Sequence, residues 1–291
     1  MVNTLRLLPR AILLSLAVAF LLTSQSGAEE SPLHEYTLEP TKRPIPTKPS
    51  EKWEIAPEIF YFFYEEPSLD VDWRGWLYGA RASYTEKSRT TPWKGRLEVS
   101  YAIGSVDYDG SLSDGTPITS GGTYWFFNGR LLLGYDWALG RQILTPILGL
   151  GYRYWFDDLE GTGAYRRRVR YLYSPLGIET RRPIGKTWSF GIRGEYDLFW
   201  RGWVRSHLSD VSVLYNDLDN RQDTGYGVRG SFYLKREAGK KYTFTIEPFI
   251  QYWDIDDSNL APLTFAGTLI GSGREPANKT IESGLRVSAV F

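Results

Sequence analysis

Residues 281–291 read IESGLRVSAVF and alternate without a break between two kinds of side chain. One side carries Ile281, Ser283, Leu285, Val287, Ala289 and Phe291, and the other carries Glu282, Gly284, Arg286 and Ser288. A period of two residues is that of an extended strand whose two faces meet different surroundings. The apolar face belongs either to the core of a soluble sandwich or to the lipid-facing surface of a barrel.

The beginning of the chain has the pattern of an export signal. A segment with Arg6 and Arg10 precedes an apolar run at 11–22, and Ser26 and Ala28 suit a cleavage site. We predict that residues 1–28 are a signal peptide removed on export. The alternative is a membrane anchor, but a spanning helix needs about 20 apolar residues. An exported chain without such a helix can span a membrane only as a barrel.

Composition narrows the classes of protein further. The chain has no cysteine, so disulfides and thiol chemistry are excluded. Acidic and basic residues are equal in number and form no basic stripe, so we expect no nucleic-acid partner. Aromatic residues make up 15% of the chain and include 11 Trp and 20 Tyr. Such amphipathic rings suit the interfaces of a bilayer.

Alternating segments follow a proline-rich stretch at 29–52, which has no periodicity and which we interpret as a flexible periplasmic tail. We predict ten strands, at 53–65, 74–86, 95–104, 124–137, 143–156, 168–180, 187–200, 225–236, 241–254 and 281–291. An even number of antiparallel strands is what a closed bacterial outer-membrane barrel requires.

The connections between these segments alternate in length. Four are short and contain Gly or Pro, as in ALGRQ and RRPIGK, whereas the connections after the third, seventh and ninth segments have roughly twenty residues. Short periplasmic turns and long extracellular loops are typical of outer-membrane barrels. The sequence therefore predicts an all-β fold, an antiparallel up-and-down transmembrane β-barrel, over residues 53–291.

The polar face of each strand should point into this barrel. The inward cations that we assign are Arg81, Arg96, Arg130, Arg153, Arg193, Arg229, Lys235 and Arg286, and the inward acids are Glu54, Glu58, Glu98, Asp136, Glu195, Asp197, Glu247 and Glu282. Equal numbers of opposite charges indicate internal salt bridges that plug the lumen. Only the sixth strand is ambiguous, because a bulge at Pro175 would exchange its faces.

The residues from Trp53 to Phe291 resemble a family of bacterial outer-membrane β-barrel proteins whose function is not established. The resemblance is carried by the segments EIAPEIFYFFYEEP, EYDLFWRGWVRSHLSD, EPFIQYWDIDDSN and EPANKTIESGLRVSAVF. It implies the barrel fold and a location in the outer membrane of a Gram-negative cell envelope. It also implies that Phe291 ends the strand that the barrel-assembly machinery recognises.

One constellation suggests chemistry. His207 precedes Asp210 in one predicted outer loop, and Asp107 and Asp109 lie in another. These residues resemble the omptin proteases, ten-stranded barrels in which a His with an Asp and an acidic pair activate water. The order of His207 and Asp210 departs from the omptin order, in which the Asp precedes the His by two residues.

The sequence therefore favours an integral outer-membrane barrel with a structural or surface-interaction role and without enzymatic activity. The alternative is an omptin-like surface peptidase that uses His207, Asp210, Asp107 and Asp109. We expect no cofactor and no metal, since the chain has two His and no Cys. The expected partners are outer-membrane lipid and lipopolysaccharide, the barrel-assembly machinery and an extracellular ligand at the long loops.

Overall fold

The computed structural model describes residues 52–111, 117–161, 163–238 and 242–291, which form strands and one short 3-10 helix, Leu208–Asp210. The predicted signal peptide and nearly all of the predicted tail lie outside the described residues. The strands are β1 Lys52–Glu66, β2 Val71–Lys87, β3 Trp93–Ser111, β4 Pro117–Tyr135, β5 Trp137–Leu139, β6 Gln142–Leu159, β7 Arg166–Ile184, β8 Trp188–Ser206, β9 Leu218–Gln222, β10 Gly225–Ala238, β11 Tyr242–Ile255, β12 Ala261–Phe265, β13 Thr268–Gly273 and β14 Asn278–Val290.

Ten of these strands close into an antiparallel barrel. Each pairs with its neighbours in chain order, β10 pairs with both β8 and β11, and β14 pairs with β1. At the periplasmic rim, backbone N–H groups of Trp53 and Phe291 each donate to the carbonyl of the other, at 3.0 and 2.9 Å. Closure leaves no free edge among the ten long strands, as a β-protein in lipid requires.

The strands extend beyond the predicted segments on the extracellular side. β3 continues to Ser111, so the segment with Asp107 and Asp109 that we predicted as a loop is strand. The predicted loop after the seventh segment contains the end of β8 and all of β9, and the last long loop contains the β12–β13 hairpin. Above the bilayer both faces of a strand meet water or protein, so the alternation that marks a strand in the sequence is lost.

The face switch that we considered at Pro175 lies on the adjacent strand instead. Along β7 the inward positions continue through Tyr173 and Pro175 without a change of face. Leu172 of β7 pairs with Arg201 of β8, and the next residue of β7, Tyr173, pairs with Phe199 of β8. Trp200 of β8 is therefore an extra residue with no residue opposite it. This is a β-bulge, and it moves the inward face of β8 from odd-numbered to even-numbered residues.

An apolar belt surrounds the outside of the barrel. Its outward residues include Leu97, Ile103, Leu131, Leu133, Leu148, Leu150, Ile178, Ile192, Ile246 and Val287, each at least 42% exposed. Aromatic pairs border the belt, with Trp53 and Tyr84 5.0 Å apart near one rim and Trp125 and Tyr154 5.0 Å apart towards the other. Such girdles lie at the two membrane interfaces of transmembrane barrels. No helix among the described residues is both long and apolar enough to cross a membrane.

Ion pairs fill the periplasmic half of the interior. Arg81 contacts Glu54 and Glu247, both at 3.1 Å, and Arg286 contacts Glu58 at 2.6 Å. Two further arginines, Arg130 and Arg193, bind the buried carboxylates of Glu98 and Glu195. The predicted ladder of balanced charges is thus present, and it also includes Lys94 and Glu179, which we had not assigned to the interior.

Aromatic rings form a second layer above the ion pairs. Its members, each at most 2% exposed, are Phe62, Tyr64, Tyr124, Phe126, Trp155, Tyr171, Tyr173 and Trp253. Their rings meet edge to face or tilted, and Phe62 meets Trp155 edge to face at 6.1 Å between ring centroids. Glycine makes room for the rings, since a Cβ on Gly151 would lie 2.2 Å from the ring of Tyr173. The lumen therefore has an apolar layer that we had not predicted.

The lipid belt yields a first prediction. Leu131 is 59% exposed on the outer face of β4, inside the apolar belt. We expect Leu131→Arg to lower the free energy of unfolding in lipid vesicles by about 2–4 kcal/mol, because the cation then lies in hydrocarbon. Thr123→Arg is the matched control, since Thr123 is exposed on the same face above the belt. Equal losses in urea titrations of the two variants would contradict the assignment of the belt.

Candidate functional site

A cavity of about 530 Å³ opens at the extracellular end of the barrel. Residues from eight of the strands and from the segments beside them line it, among them Val71, Trp73, Tyr108, Ile118, Leu159, Tyr165, Leu208 and Leu218. Its volume lies within the range of small-molecule sites, about 300–1,000 Å³. We call this cavity the mouth cavity.

Four buried charged side chains border the mouth cavity just above the aromatic layer. The guanidinium of Arg167 donates to Glu66 at 3.0 Å, to Asp157 at 3.0 Å and to Glu275 at 2.7 Å. All four residues are at most 5% exposed. Arg167 also lies over the ring of Trp73, 4.8 Å from its centroid. One guanidinium therefore serves three carboxyl groups, which we call the acid triad.

Two tyrosines complete the contacts of the acid triad. The hydroxyl of Tyr64 donates to Glu66 at 2.8 Å, and the hydroxyl of Tyr124 donates to Asp157 at 2.9 Å. One oxygen of Asp157, Oδ1, and one nitrogen of Arg167, Nη2, are buried without a hydrogen-bond partner in the part of the chain that the structure describes. The site thus holds polar atoms that its own residues leave unsatisfied.

Glu275 lies in the segment between β13 and β14, outside the membrane-spanning strands. Burial raises the pKa of its carboxyl group to about 7, because the nearby negative charges of Glu66 and Asp157 add to the effect and Arg167 offsets only part of it. The titratable groups around Glu275 are Arg167, Glu66, Asp157, Tyr64, Tyr165 and Tyr171. Glu275 therefore changes its charge near neutral pH.

His207 stands at the end of β8 beside the mouth cavity, with Asp217 rather than Asp210 as its partner. Its Nδ1 lies 2.9 Å from the carboxylate of Asp217, which also accepts the hydroxyl of Ser209 at 2.7 Å. Its Nε2 is buried and has no partner among the described residues. Because His207 is only 9% exposed, this arrangement holds the loop after β8 rather than presenting a base to solvent.

The side chains of the other three residues of the peptidase hypothesis form no hydrogen bond with the imidazole of His207, although the backbone N–H of Asp210 donates to the carbonyl of His207 at 3.0 Å. Asp210 forms a two-pronged ion pair with Arg166, at 2.7 and 2.8 Å, and this hydrogen bonding lowers the pKa of its carboxyl group to about 2. Asp107 and Asp109 are exposed on the outer face of β3, and Asp109 lies 3.7 Å from Arg74. Three barrel strands, β4, β6 and β7, separate β3 from β8. The structure does not bring the four side chains together around one point.

The described residues contain no group of three or more His, Cys, Asp or Glu side chains that could hold a metal ion. In the acid triad the guanidinium of Arg167 occupies the space between the carboxylates. The arrangement therefore suits charge pairing rather than metal coordination.

Sequence reasoning missed the acid triad. Glu66 and Glu275 are 101 and 108 residues from Arg167 in the chain. The sequence nevertheless contained an indication of two of its members. Asp157 and Arg167 continue the inward-facing positions of two predicted strands, next to the ends of those strands. Asp157 directly follows the predicted strand at 143–156 and Arg167 directly precedes the one at 168–180, so extending each strand by one residue would have placed both charges inside the barrel.

The closed ten-stranded barrel with its apolar belt is an outer-membrane β-barrel of the bacterial type. One of the solved structures compared with this chain supports the same fold. The outer membrane protease OmpT from Escherichia coli superposes with a TM-score of 0.61 over 84% of this chain and 98% of that chain, at 8% identity. A major outer membrane protein from Thermus thermophilus covers 82% of this chain and 99% of its own, with a TM-score of 0.37 and 12% identity.

The β domain of the Bordetella autotransporter BrkA gives similar values, a TM-score of 0.36 at 11% identity over 82% of this chain and 99% of that chain. No protein-family description matches the sequence. No curated protein matches it either. The superposition on OmpT therefore supports the barrel fold alone, and the activity has to be argued from the geometry of the site.

The raised pKa of Glu275 yields a second prediction. An ordinary glutamate has a pKa of 4.5, so between that value and about 7 the folded protein keeps a proton that the unfolded chain releases. Stability that Glu275 contributes should therefore be lost as pH rises through this window. We expect the urea midpoint in lipid vesicles, followed by tryptophan fluorescence, to fall from pH 5 to pH 8 by a smaller amount in Glu275→Gln than in the wild type.

Glu160→Gln is the control for this measurement, because Glu160 is an exposed acid at the rim of the same cavity. It should keep the pH dependence of the wild type. An identical dependence in Glu275→Gln would show that the acid triad does not bind this proton.

Proposed function

We propose that this protein is a non-conducting outer-membrane barrel that binds a small molecule at its extracellular mouth. The observation that carries the proposal is the filling of the lumen. Ion pairs and aromatic rings occupy its two lower layers, whereas the extracellular end widens into the mouth cavity. Such a barrel is suited to binding at the cell surface rather than to passage.

The dimensions of the interior support this function. Between the ion pairs, next to Arg81 and Glu98, the described side chains leave a cavity of only about 50 Å³. A space of this size admits only a few waters. The mouth cavity is about ten times larger. Its lining combines apolar side chains with charged and polar ones, and so it offers a ligand both apolar surface and hydrogen-bond partners.

The peptidase alternative receives less support from the geometry. Its mechanism needs a histidine and an acidic pair around one water, and His207 is bonded to Asp217 while Asp107 and Asp109 face outward on another part of the barrel. We therefore propose a binding protein and not a hydrolase.

Export and assembly belong to the same proposal. We infer that residues 1–28 direct export, that the barrel resides among outer-membrane lipid and lipopolysaccharide, and that Phe291 is read by the assembly machinery. The side chain of Phe291 is 51% exposed on the outer face of the rim, where a recognition factor can contact it.

Ion conductance tests the closed lumen. We expect the purified barrel to give no stable channels in planar bilayers, because the aromatic layer interrupts any aqueous path between the ion pairs and the mouth cavity. A sixteen-stranded porin inserted into the same bilayers is the positive control. Large and lasting conductance steps from this protein would contradict the proposal.

A cavity-filling variant tests the binding site. Ile118 lines the mouth cavity from β4, and Ile118→Trp should occupy part of its volume. We expect compounds that raise the thermal transition of the wild-type barrel in detergent to lose that effect in Ile118→Trp. Leu133→Trp is the matched control, because Leu133 lies on the lipid-facing side of the same strand. Compounds that stabilise all three proteins equally would bind elsewhere.

A further inference from the structure

The acid triad carries more negative charge than its own residues neutralise. Glu66, Asp157 and Glu275 share the single guanidinium of Arg167. With all groups ionised, the buried cluster has two negative charges in excess. An uncompensated buried charge is costly, so such a cluster takes up a proton or a cation. Protons are always available, but a cation has to come from the mouth cavity, which is the space that adjoins the cluster.

Unsatisfied atoms at the floor of the mouth cavity give a second indication. Asp157 is 1% exposed, lines the cavity and has one carboxylate oxygen without a partner in the described chain. This oxygen is an acceptor, so the ligand group that satisfies it is a hydrogen-bond donor. A native protein rarely leaves such groups unsatisfied without an explanation, and a bound polar group is one explanation.

The walls indicate what the rest of a ligand looks like. Above the acid triad the cavity is lined by aromatic and aliphatic side chains, among them Trp73, Tyr108, Ile118, Leu159 and Leu218. Aromatic faces attract cations and also cover apolar surface. A ligand that fits both parts of the cavity has a positive end and an apolar body.

We propose that the mouth cavity binds a small organic monocation, an ammonium group on an aromatic or aliphatic body. The ammonium group hydrogen-bonds to Asp157 and Glu275, and the body lies against Trp73 and Tyr108. This inference rests on the proposed binding function and assigns its ligand class. Anionic ligands are disfavoured because the only buried cation of the cluster, Arg167, is already shared by three carboxylates. A divalent ion is disfavoured because the guanidinium separates those carboxylates.

Calorimetry with three matched probes tests the ligand class. The probes are phenethylammonium, the neutral 2-phenylethanol and the anionic 3-phenylpropanoate, each titrated at pH 8 into the full barrel in detergent. We expect the ammonium probe to bind at least about tenfold more tightly than the alcohol, since a charge-assisted hydrogen bond contributes that much. The carboxylate should not bind.

The outcomes separate this inference from the proposed function. If the alcohol or the carboxylate binds as tightly as the ammonium probe, and Ile118→Trp abolishes that binding, the mouth is a ligand site and the cation assignment is wrong. If the ammonium probe does not bind, the cation assignment is also wrong, and the thermal comparison with Ile118→Trp alone then decides whether the mouth binds anything.

Variants of the acid triad provide a second test of the proposed ligand class. Glu275→Gln and Asp157→Asn should each weaken binding of phenethylammonium about tenfold or more, because each removes a carboxylate partner of the ammonium group. Glu160→Gln, at the exposed rim, should change the affinity less than about twofold, as expected for a solvated charge. The heat-dependent shift in electrophoretic mobility shows whether each variant is folded.

Proton release distinguishes direct contact from a structural role. At pH 6, titrations in buffers with different ionisation enthalpies should show net release of a proton when the ammonium probe binds to the wild type, because the cation replaces the proton of Glu275. The release should disappear in Glu275→Gln even if that variant retains weak binding. Binding of the probe to the wild type without proton release would overturn the proposed position of the ammonium group.

Discussion

Charges inside this barrel have to pair with each other, and the rest of the interior depends on that constraint. Lipid surrounds the wall and the filled lumen admits little water, so an arginine or glutamate there is stable only beside an opposite charge. Strands far apart in the chain provide the partners, as Arg286 of β14 does for Glu58 of β1. The ion pairs thus specify the relative register of the strands and fill the lumen at the same time.

In the extracellular half of the barrel, aromatic rings do most of the filling, and the buried charges there stand among them. Rings such as Phe62, Trp155 and Trp253 fill the lumen where the ion pairs end. They leave an apolar floor beneath the acid triad, and this floor keeps water away from Arg167 and its partners from below. The unusual charge state of Glu275 follows from that position between an apolar layer and an open cavity.

The sequence was sufficient to predict the membrane-spanning part of the fold. Alternation located all ten barrel strands, because each membrane-spanning segment meets hydrocarbon on one side and a polar or aromatic lumen on the other. Alternation was no longer informative where the difference between the two faces of a strand ends.

The strand containing Asp107 continues above the bilayer, and the bulge at Trp200 depends on pairing between β7 and β8 rather than on either segment alone. His207 was paired with the nearer Asp210, whereas folding of the loop brings Asp217 to it. The acid triad depends on contacts across more than 100 residues, which no local pattern records.

The pairing of β14 with β1 affects the kinetics of folding. It joins the two most distant barrel strands, with Val290 opposite Glu54 and Phe291 bonded to Trp53. Every other pair of neighbouring barrel strands is consecutive in the order of the chain and can form as a hairpin or across a single loop. The closing seam has the highest contact order, so the entropy of bringing its ends together is the largest. Until it forms, both edges of a sheet with nine seams stay open to pairing with other chains, so closure of this one seam removes the last edges at which the chain can aggregate.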